Sequence, residues 1–321
     1  MQSKLNFSLT QLEYVLAVQK FGHFAKAAKS CFVTQPTLSM QIQKLEDVLG
    51  TVIFDRSKKP ILLTATGKLL VEQMQSIVDE AKKLEGIMLN QSADVLQGEL
   101  TLGIIPTLAP YLLPKLLPIL EEMFPEISLK IFELQTHKIL EALADDEIDA
   151  GLLATPLKVD RIIERPLFWE PFSVLCKKNH PLAKLKRVKY SNLNSDDIWL
   201  LEEGHCLRHQ VLDVCSLKSK KSVHKTYQFE SGSLETLKNL VNSYGGYTLL
   251  PALATDQLGT HSVLIPFERP IPAREIGIVS RRQHYKSKII DALATAVTKS
   301  IPESLAKIRQ KDLDVLPIES T

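Results

Sequence analysis

The chain has 321 residues, of which 45% are hydrophobic and 24% are charged, and its formal net charge is +2. This composition excludes a wholly disordered chain and predicts two or more domains with buried cores. The sequence shows no apolar run typical of a signal peptide or a membrane span. We therefore expect a cytoplasmic protein whose four cysteines are reduced thiols rather than a disulfide framework.

Positive charge is concentrated at one end of the chain. Residues 1–68 contain nine Lys and Arg against four acidic residues, which gives this segment a charge of +5. A basic module at the end of a nearly neutral protein predicts a head that binds nucleic acid.

Three short helices are predicted in this basic module. The pattern at residues 10–13 is typical of a capping box and predicts a first helix that ends at Gly22. A second helix begins near Phe24 and has Cys31 as a small core residue. A third helix begins at Thr34, after a two-residue break. Its predicted buried stripe is Leu38, Ile42, Leu45 and Leu49.

The opposite face of the third helix is predicted to contact DNA. Its short polar side chains suit the base edges read by a helix-turn-helix. Two short strands, 52–56 and 61–64, enclose a basic turn and predict a wing that contacts phosphates or the minor groove. A helical bundle with solvated lysines remains the alternative. The helix face comprises Pro36, Thr37, Met40, Gln41 and Lys44, flanked by Gln35 and Ser39.

Residues 67–90 predict one long helix with a heptad seam. An a/d repeat of this kind is typical of a dimerising helix. A helix packed against the core of its own domain could show the same spacing. The seam consists of Leu70, Met74, Ile77, Ala81, Leu84 and Met88.

From Gly98 onwards, strands and helices alternate, which predicts an α/β region with mostly parallel sheets. We expect two lobes around a cleft, as in periplasmic binding proteins. Thr107 and Thr136 each follow an apolar strand, where ligands bind in such sheets. Their hydroxyls could hold a small polar ligand, or they could cap the helices that follow. The predicted domains are a winged helix-turn-helix (1–66), a linker helix (67–97), a two-lobed domain (98–310) and a tail (311–321).

Two cysteines nine residues apart, Cys206 and Cys215, predict a conformational switch. His205 and Arg208 lie beside Cys206, and neighbouring cations favour the reactive thiolate. If the segment is helical, the two residues lie about 13 Å apart, whereas a disulfide needs Cα atoms within about 7 Å. Bridging them would therefore require the segment to refold.

Two alternatives to a switch remain for this segment. The first is an incidental buried thiol, the reading that we also prefer for Cys176 in its apolar strand. The second is a zinc site, although the spacing of the donors fits no closed structural pattern. The four donors of such a site would be His205, Cys206, His209 and Cys215.

Several motifs resemble those of known regulators. Residues 24–28, 34–39 and 45–47 resemble the head of the LysR-type transcriptional regulators. Within that family, the chain is similar to the hydrogen-peroxide sensors over nearly its whole length. The motifs that carry this similarity are residues 103–114, 135–137, 201–208, 233–237 and 248–253.

The resemblance implies a role for each residue of the thiol pocket. Cys206 would be oxidised to sulfenic acid and then form a disulfide with Cys215. Thr107 and Thr136 would position hydrogen peroxide, and His205 and Arg208 would shape the pocket. His209 departs from the family pattern, which has aspartate there, so the reactivity of the thiol is an open question. No cofactor or metal is implied.

The resemblance also implies partners and an assembly. Gln35, Pro36 and Ser39 match DNA-contacting positions, with Arg56 and Lys59 in the wing. Expected partners are double-stranded promoter DNA, RNA polymerase and cytosolic thiol reductants, and the expected assembly is a homotetramer. The chain would then be a transcription activator and not an enzyme. The alternatives are a LysR-type regulator that senses a small metabolite or metal ion, and a thiol peroxidase.

Overall fold

A computed structural model describes residues 6–91, 96–157, 159–160, 162–193, 197–215, 231–256, 258–282 and 286–318. It divides into two compact units. The head comprises residues 6–91, and the C-terminal unit comprises the described residues from 96 to 318. No helix within the described ranges combines the length and hydropathy that a membrane crossing needs. The finer domain boundaries at 66, 97 and 310 stay predictions.

The head is a winged helix-turn-helix. Its elements are α1 (Leu9–Phe21), α2 (Phe24–Ser30), α3 (Gln35–Leu49), β1 (Phe54–Asp55), β2 (Leu62–Leu63) and α4 (Ala65–Gln91). The predicted capping box at residues 10–13 is wrong. Ser8 is the N-cap of α1, and it exchanges hydrogen bonds with Gln11 through the backbone N–H of each residue. Gly22 ends α1 in a left-handed conformation, as predicted.

The core of the head confirms the periodicity of the sequence. Thr34 caps α3, and three residues of the predicted stripe are fully buried, whereas Leu49 is only partly buried. Cys31 ends α2 and packs partly buried against the same core, which supports its role as a small apolar residue. The fully buried stripe residues are Leu38, Ile42 and Leu45.

One buried carboxylate joins α3 to the wing. Glu46 Oε1 accepts hydrogen bonds from the backbone N–H groups of Ile53 at 2.7 Å and Phe54 at 3.4 Å. Its Oε2 accepts from Arg56 Nη2 at 2.8 Å. The guanidinium of Arg56 also lies over the Phe24 ring, 5.2 Å from its centroid. The hairpin of β1 and β2 is thereby fixed to the end of α3.

Helix α4 packs against its own head over its first half. Leu70 and Ile77 of the predicted heptad seam are partly buried against the head core. Leu84 is 66% exposed, and the side chain of Met88 lies outside the described residues. The first half of the seam thus serves the domain core, and dimerisation along α4 stays a prediction. The α4 residues fully buried in this core are Val71, Met74 and Val78.

The C-terminal unit has an eight-stranded sheet and six helices among its described residues. Its strands are β3 (Gly98–Ile104), β4 (Ile127–Glu133), β5 (Ala150–Thr155), β6 (Ile162–Lys177), β7 (Tyr247–Pro251), β8 (Ser262–Pro266), β9 (Ile271–Arg281) and β10 (Leu313–Val315). Its helices are α5 (Ala109–Met123), α6 (Thr136–Ala144), α7 (Cys206–Val214), α8 (Leu234–Ser243), α9 (Ser287–Ser300) and α10 (Glu303–Ala306).

The α/β class is confirmed, but the sheet is mixed rather than mostly parallel. Strands β4, β3 and β5 are parallel neighbours, and β10 runs parallel to β9. Strand β9 is antiparallel to both β5 and β6, and β6 is antiparallel to β7 and β8. An alternation of strands and helices along the chain does not report direction where long strands such as β6 and β9 pair directly.

Two separate hydrophobic cores mark the predicted lobes. One core is built around β3, β4, β5, α5 and α9, and the other around the second half of β6 with β7, α7 and α8. Tyr111 on α5 packs partly buried against both cores, and its hydroxyl donates to Glu235 Oε1 on α8 at 2.8 Å. Side chains from both lobes therefore meet at this point.

The substitution Glu46→Ala should destabilise the wing of the head. Three donors would lose their acceptor, and two of them are buried backbone groups, so we expect a loss of about 2 kcal/mol. Hydrogen exchange of peptides covering residues 46–56 measures this as about 30-fold faster opening. The matched control is Glu13→Ala, an exposed acid on α1. Equal exchange in both variants would contradict the anchoring role of Glu46.

Candidate functional site

The Cys206 thiol lies where the first turns of two helices meet. Cys206 is the first residue of α7, and its Sγ donates a hydrogen bond to Thr136 Oγ1, the first residue of α6, at 3.2 Å. Gly204 precedes this turn with φ 91°, and a Cβ there would lie 2.7 Å from Gln135 Oε1. The left-handed conformation favours glycine, whereas the Gln135 side chain could move away from a Cβ.

Burial controls the ionisation of this thiol. It raises the pKa of Cys206 above its ordinary value, because the half-buried thiolate loses hydration. Three features oppose this effect: the hydrogen bond with Thr136, the charge of Arg274 and the residue's own backbone N–H at the start of α7. Cys206 is therefore mainly protonated at neutral pH, although these three neighbouring groups stabilise its thiolate form.

The cation that acts on Cys206 comes from β9. Arg274 is 1% exposed and forms an ion pair with Glu170, which is 0% exposed, at 2.8 Å from both Nε and Nη2. Arg274 Nη1 donates to Thr107 Oγ1 at 2.8 Å, and Nη2 donates to Thr107 O at 3.1 Å. Glu170 Oε1 also accepts from the Leu253 backbone N–H at 2.7 Å. Thr107 is thereby held by the cation that acts on the thiol.

The hydroxyl hydrogen of Thr107 is not used in the hydrogen bond with Arg274. An arginine side chain only donates, so Thr107 Oγ1 must act as acceptor towards Arg274. The same reasoning applies to Thr136 while Cys206 carries its proton. Each threonine therefore keeps a hydroxyl hydrogen for a further acceptor near the thiol. Thr107 is bound directly to Arg274, Thr136 is bound to Cys206, and the charge of Arg274 acts on Cys206.

The two residues beside Cys206 in sequence have structural contacts. Burial lowers the pKa of His205, so its ring is neutral at pH 7, and the nearby Glu202 carboxylate opposes this shift. His205 Nε2 lies 3.4 Å from Gln135 Nε2 and 3.7 Å from Glu202 Oε1. Arg208 is buried, and its Nη1 donates to Leu201 O. The expectation that His205 and Arg208 favour the thiolate by their charge is therefore wrong. The cation that favours the thiolate is Arg274.

Cys215 lies at the far end of α7. It is the C-cap residue, it is buried in the second core, and burial raises its pKa to about 12. Both cysteines carry free thiols. Nine residues of helix separate them by about 13 Å, so the helical segment that the sequence predicted keeps them beyond disulfide range.

A buried amide in the middle of α7 is incompletely satisfied. Gln210 is fully buried, and its Nε2 donates to Leu316 O over 3.4 Å. Within the described part of the chain, Gln210 Oε1 has no hydrogen-bond partner. An unsatisfied buried carbonyl destabilises the state that contains it. The unsatisfied carbonyl of Gln210 therefore lowers the stability of folded α7.

The zinc alternative finds no support in the geometry. Across the residues that the structure describes, no three His, Cys, Asp or Glu side chains are grouped closely enough to hold a metal ion. Helix α7 keeps Cys206 and Cys215 at opposite ends, and His205 contacts Gln135.

The head displays the predicted DNA-contacting residues on its surface. Gln35, Pro36 and Thr37 are exposed at the start of α3, where a recognition helix contacts base edges. Thr37 shares a 2.8 Å hydrogen bond with the capping Thr34. Farther along α3, Ser39 is half-buried and Lys44 is exposed; in the wing, Arg56 and Lys59 are exposed.

Sequence reasoning missed Arg274 and Glu170. They are 104 residues apart, yet they lie directly opposite each other in the β6–β9 pairing. Neither is the lone charge of its strand, because β9 also contains Glu275 and Arg281, and β6 also contains Glu164, Arg165 and Lys177. Charged residues are almost never fully buried unless paired, but the sequence does not show which of these charges is buried. The pairing of the strands itself was not predicted.

Two family descriptions match the chain. Residues 9–68 match the bacterial regulatory helix-turn-helix protein of the lysR family, and residues 93–301 match the LysR substrate binding domain. A hydrogen peroxide-inducible genes activator from Haemophilus influenzae is 37% identical over 93% of this chain and 98% of that protein. The DNA-binding transcriptional dual regulator OxyR of Escherichia coli is 39% identical over 85% and 89%.

Solved structures agree with these matches. A full-length OxyR variant from Pseudomonas aeruginosa has a TM-score of 0.72 and 34% identity, covering 91% of this chain and 98% of that one. A cysteine mutant of Corynebacterium glutamicum OxyR, described as H2O2-bound, has a TM-score of 0.62 and 30% identity, covering 93% and 94%. With both its head and its two-lobed unit matched, the chain belongs to the LysR family of bacterial transcriptional regulators.

Proposed function

We propose that this chain is a hydrogen-peroxide-sensing, DNA-binding regulator of antioxidant genes, switched by a reversible Cys206–Cys215 disulfide. The observation that carries the proposal is the thiol of Cys206, bound to Thr136 and acted on by the buried Arg274. The relatives support it, because their names state hydrogen peroxide induction and one related structure is described as H2O2-bound.

The pocket suits a thiolate that attacks a peroxide. Deprotonated Cys206 attacks one peroxide oxygen, the O–O bond breaks, and the other oxygen leaves as hydroxide, which takes up a proton to give water. Cys206 becomes a sulfenic acid. The hydroxyl of Thr107 can donate to the peroxide, the hydroxyl of Thr136 donates to the thiolate, and the charge of Arg274 stabilises the developing hydroxide. These three residues act before any change of fold.

The second step requires α7 to open. The Cys215 thiol attacks the sulfenic sulfur, an S–S bond forms, and the hydroxyl group leaves as water. A helical separation of about 13 Å forbids this reaction in the folded helix. Sulfenic acid formation therefore selects conformations in which residues 206–215 have refolded, and the disulfide then holds them there.

The same proposal covers the assembly and the partners. The regulator binds double-stranded promoter DNA through the head, as a cytoplasmic homotetramer, and its oxidised form recruits RNA polymerase. Cytosolic thiol reductants return the disulfide to two thiols. The protein is a switch and not an enzyme, since one oxidation sets its state and turnover is not its output.

Titration with hydrogen peroxide should produce one specific disulfide. Non-reducing peptide mass spectrometry of the full chain should show a Cys206–Cys215 bridge at near-stoichiometric peroxide, while Cys31 and Cys176 stay reduced. Cys215→Ser should stop at the sulfenic acid on Cys206, and Cys206→Ser should abolish the response. Cys176→Ser is the matched control. Thiols that stay reduced until large excess would contradict peroxide sensing.

The oxidation rate should depend on pH through Cys206. Only the thiolate reacts, and burial raises the pKa of Cys206, so the rate should rise about tenfold per pH unit between pH 6 and 8. Sulfenic acid trapping in the Cys215→Ser variant measures this rate. Thr136→Val should move the midpoint to higher pH, whereas Thr136→Ser keeps the hydroxyl and should not. A flat profile would show that the thiolate already exists at pH 6.

Replacement of Gln210 should slow the second step. Gln210→Met removes the unsatisfied Oε1 and also the long 3.4 Å hydrogen bond from Nε2 to Leu316 O. Because the desolvation penalty of Oε1 exceeds the contribution of that weak bond, folded α7 should gain about 1 kcal/mol, which corresponds to about fivefold slower disulfide formation. Quenched-flow mass spectrometry separates this step from sulfenic acid formation, which should keep its rate. Glu203→Gln, at an exposed position just before the same helix, is the control. Faster bridging in Gln210→Met would show that Gln210 stabilises the helix.

A further inference from the structure

The thiol of Cys215 is hydrogen-bonded to a tyrosine hydroxyl inside the second core. Cys215 is 5% exposed and Tyr247 is 1% exposed, and both belong to the core that contains β7 and α7. Burial raises the pKa of the Cys215 thiol, and the hydrogen bond with Tyr247 opposes this shift. Two polar groups buried this deeply satisfy each other, because water does not replace the bond while the core is closed.

The backbone around Tyr247 holds its side chain in place. Tyr247 begins β7, which pairs with β6. Its backbone N–H donates to Asp197 O at 3.0 Å, and its carbonyl accepts from the Trp199 N–H at 2.8 Å. Its ring lies 5.9 Å from the ring of His180, measured between centroids. The hydroxyl that contacts Cys215 therefore belongs to a residue fixed by strand pairing and by backbone bonds on both of its peptide groups.

On the other side of this contact, Cys215 ends α7. Its backbone N–H donates to Val211 O at 3.0 Å, which closes the last turn of the helix. Residue 215 cannot leave this turn while its side chain stays in contact with Tyr247. Strand β7 lies outside the segment 206–215 that a disulfide must rearrange. The hydrogen bond therefore joins the segment that has to refold to a strand outside that segment.

In the proposed function, Cys215 must leave this position before it attacks the sulfenic sulfur of Cys206. The S–S bond forms, and the hydroxyl group leaves with the thiol proton as water. We propose that Tyr247 is a positioning residue for this step: its hydroxyl retains the Cys215 thiol in the core and thereby sets how long Cys206 persists as a sulfenic acid. This inference rests on the proposed function and adds a residue that controls its second step.

Two buried polar side chains then act on α7 in opposite directions. The unsatisfied carbonyl of Gln210 lowers the stability of the folded helix, whereas the contact between Tyr247 and Cys215 raises it. The balance of the two effects sets the fraction of chains in which residues 206–215 are open. Oxidation of Cys206 does not involve Cys215, so Tyr247 acts on the second step alone.

The substitution Tyr247→Phe tests this role because it removes the hydroxyl and keeps the ring. Loss of one hydrogen bond corresponds to about fivefold easier opening of α7, so disulfide formation should be about fivefold faster, while sulfenic acid formation should keep its rate. Quenched-flow mass spectrometry of the full chain after equimolar hydrogen peroxide measures both steps. Tyr244→Phe, which removes a hydroxyl from an exposed ring three residues earlier, is the matched control.

The redox equilibrium should move together with the rate. The contact with Tyr247 stabilises only the reduced chain, so the disulfide of Tyr247→Phe should be about fivefold harder to reduce. For a two-electron couple, this factor is a midpoint potential about 20 mV more negative than that of wild type. Titration in glutathione redox buffers measures it, and an unchanged potential would contradict the stabilisation of the reduced chain by Tyr247.

A double-mutant comparison separates the hydrogen bond from packing of the ring. In the reduced chain, hydrogen exchange of peptides covering residues 206–215 should be about fivefold faster in Tyr247→Phe than in wild type. In a Cys215→Ala background, the same substitution should have no effect, because the thiol is already absent. An equal effect in both backgrounds would show that Tyr247 acts through packing and would overturn the inference.

Two kinetic outcomes distinguish this inference from the function on which it rests. Disulfide formation at the wild-type rate in Tyr247→Phe would overturn the role of Tyr247 and leave the Cys206–Cys215 switch intact. A wild-type chain that forms no Cys206–Cys215 bridge would instead reject the proposed function, and the role of Tyr247 with it.

Discussion

The buried ion pair between Arg274 and Glu170 is the interaction on which the candidate site depends. Burying two charges is costly unless each finds its partner and its remaining hydrogen bonds. Here Glu170 also accepts from the Leu253 backbone, and Arg274 also binds Thr107 through its hydroxyl and its carbonyl. The pair therefore fixes a cation in a site of low dielectric, and the charge of this cation favours the thiolate of Cys206. The cross-strand register of β6 and β9 places the two residues opposite each other.

The ionisation of Cys206 reflects a balance between that cation and burial. Burial is the larger effect and raises the pKa, while Arg274, Thr136 and the start of α7 lower it. A thiol that is protonated at rest is protected from nonspecific oxidants, because the thiolate is the reactive form. The groups that stabilise the thiolate are nonetheless in place. In the proposed function, a peroxide at Cys206 would meet a hydrogen-bond donor and a positive charge that are already in place.

Helix α7 separates the oxidation of Cys206 from the conformational change that a disulfide requires. Its folded form keeps Cys206 and Cys215 at opposite ends, so oxidation of one thiol cannot be completed as a disulfide without a change of backbone. The unsatisfied amide of Gln210 reduces the stability of that folded form. The contact of Gln210 with Leu316 also connects the helix to the chain that follows β10. In the proposed function, one new disulfide would therefore change the conformation of α7 and its contact with the chain after β10.

Local sequence signals determined the head and the outline of the thiol segment. Helix periodicity, caps and turn residues act over a few positions, so the helix-turn-helix and the buried stripe of α3 could be predicted, although the first cap was misplaced by two residues. For the two cysteines, the sequence provided only the separation that a helix would impose. Thr107 and Thr136 could be placed at the ends of apolar strands for the same reason. The direction of β6 and β9, the burial of Arg274 and the hydrogen bond between Thr136 and Cys206 depend on residues that lie 70 to 167 positions apart. Such contacts are set by how strands pair and lobes pack, and only the tertiary structure decides them.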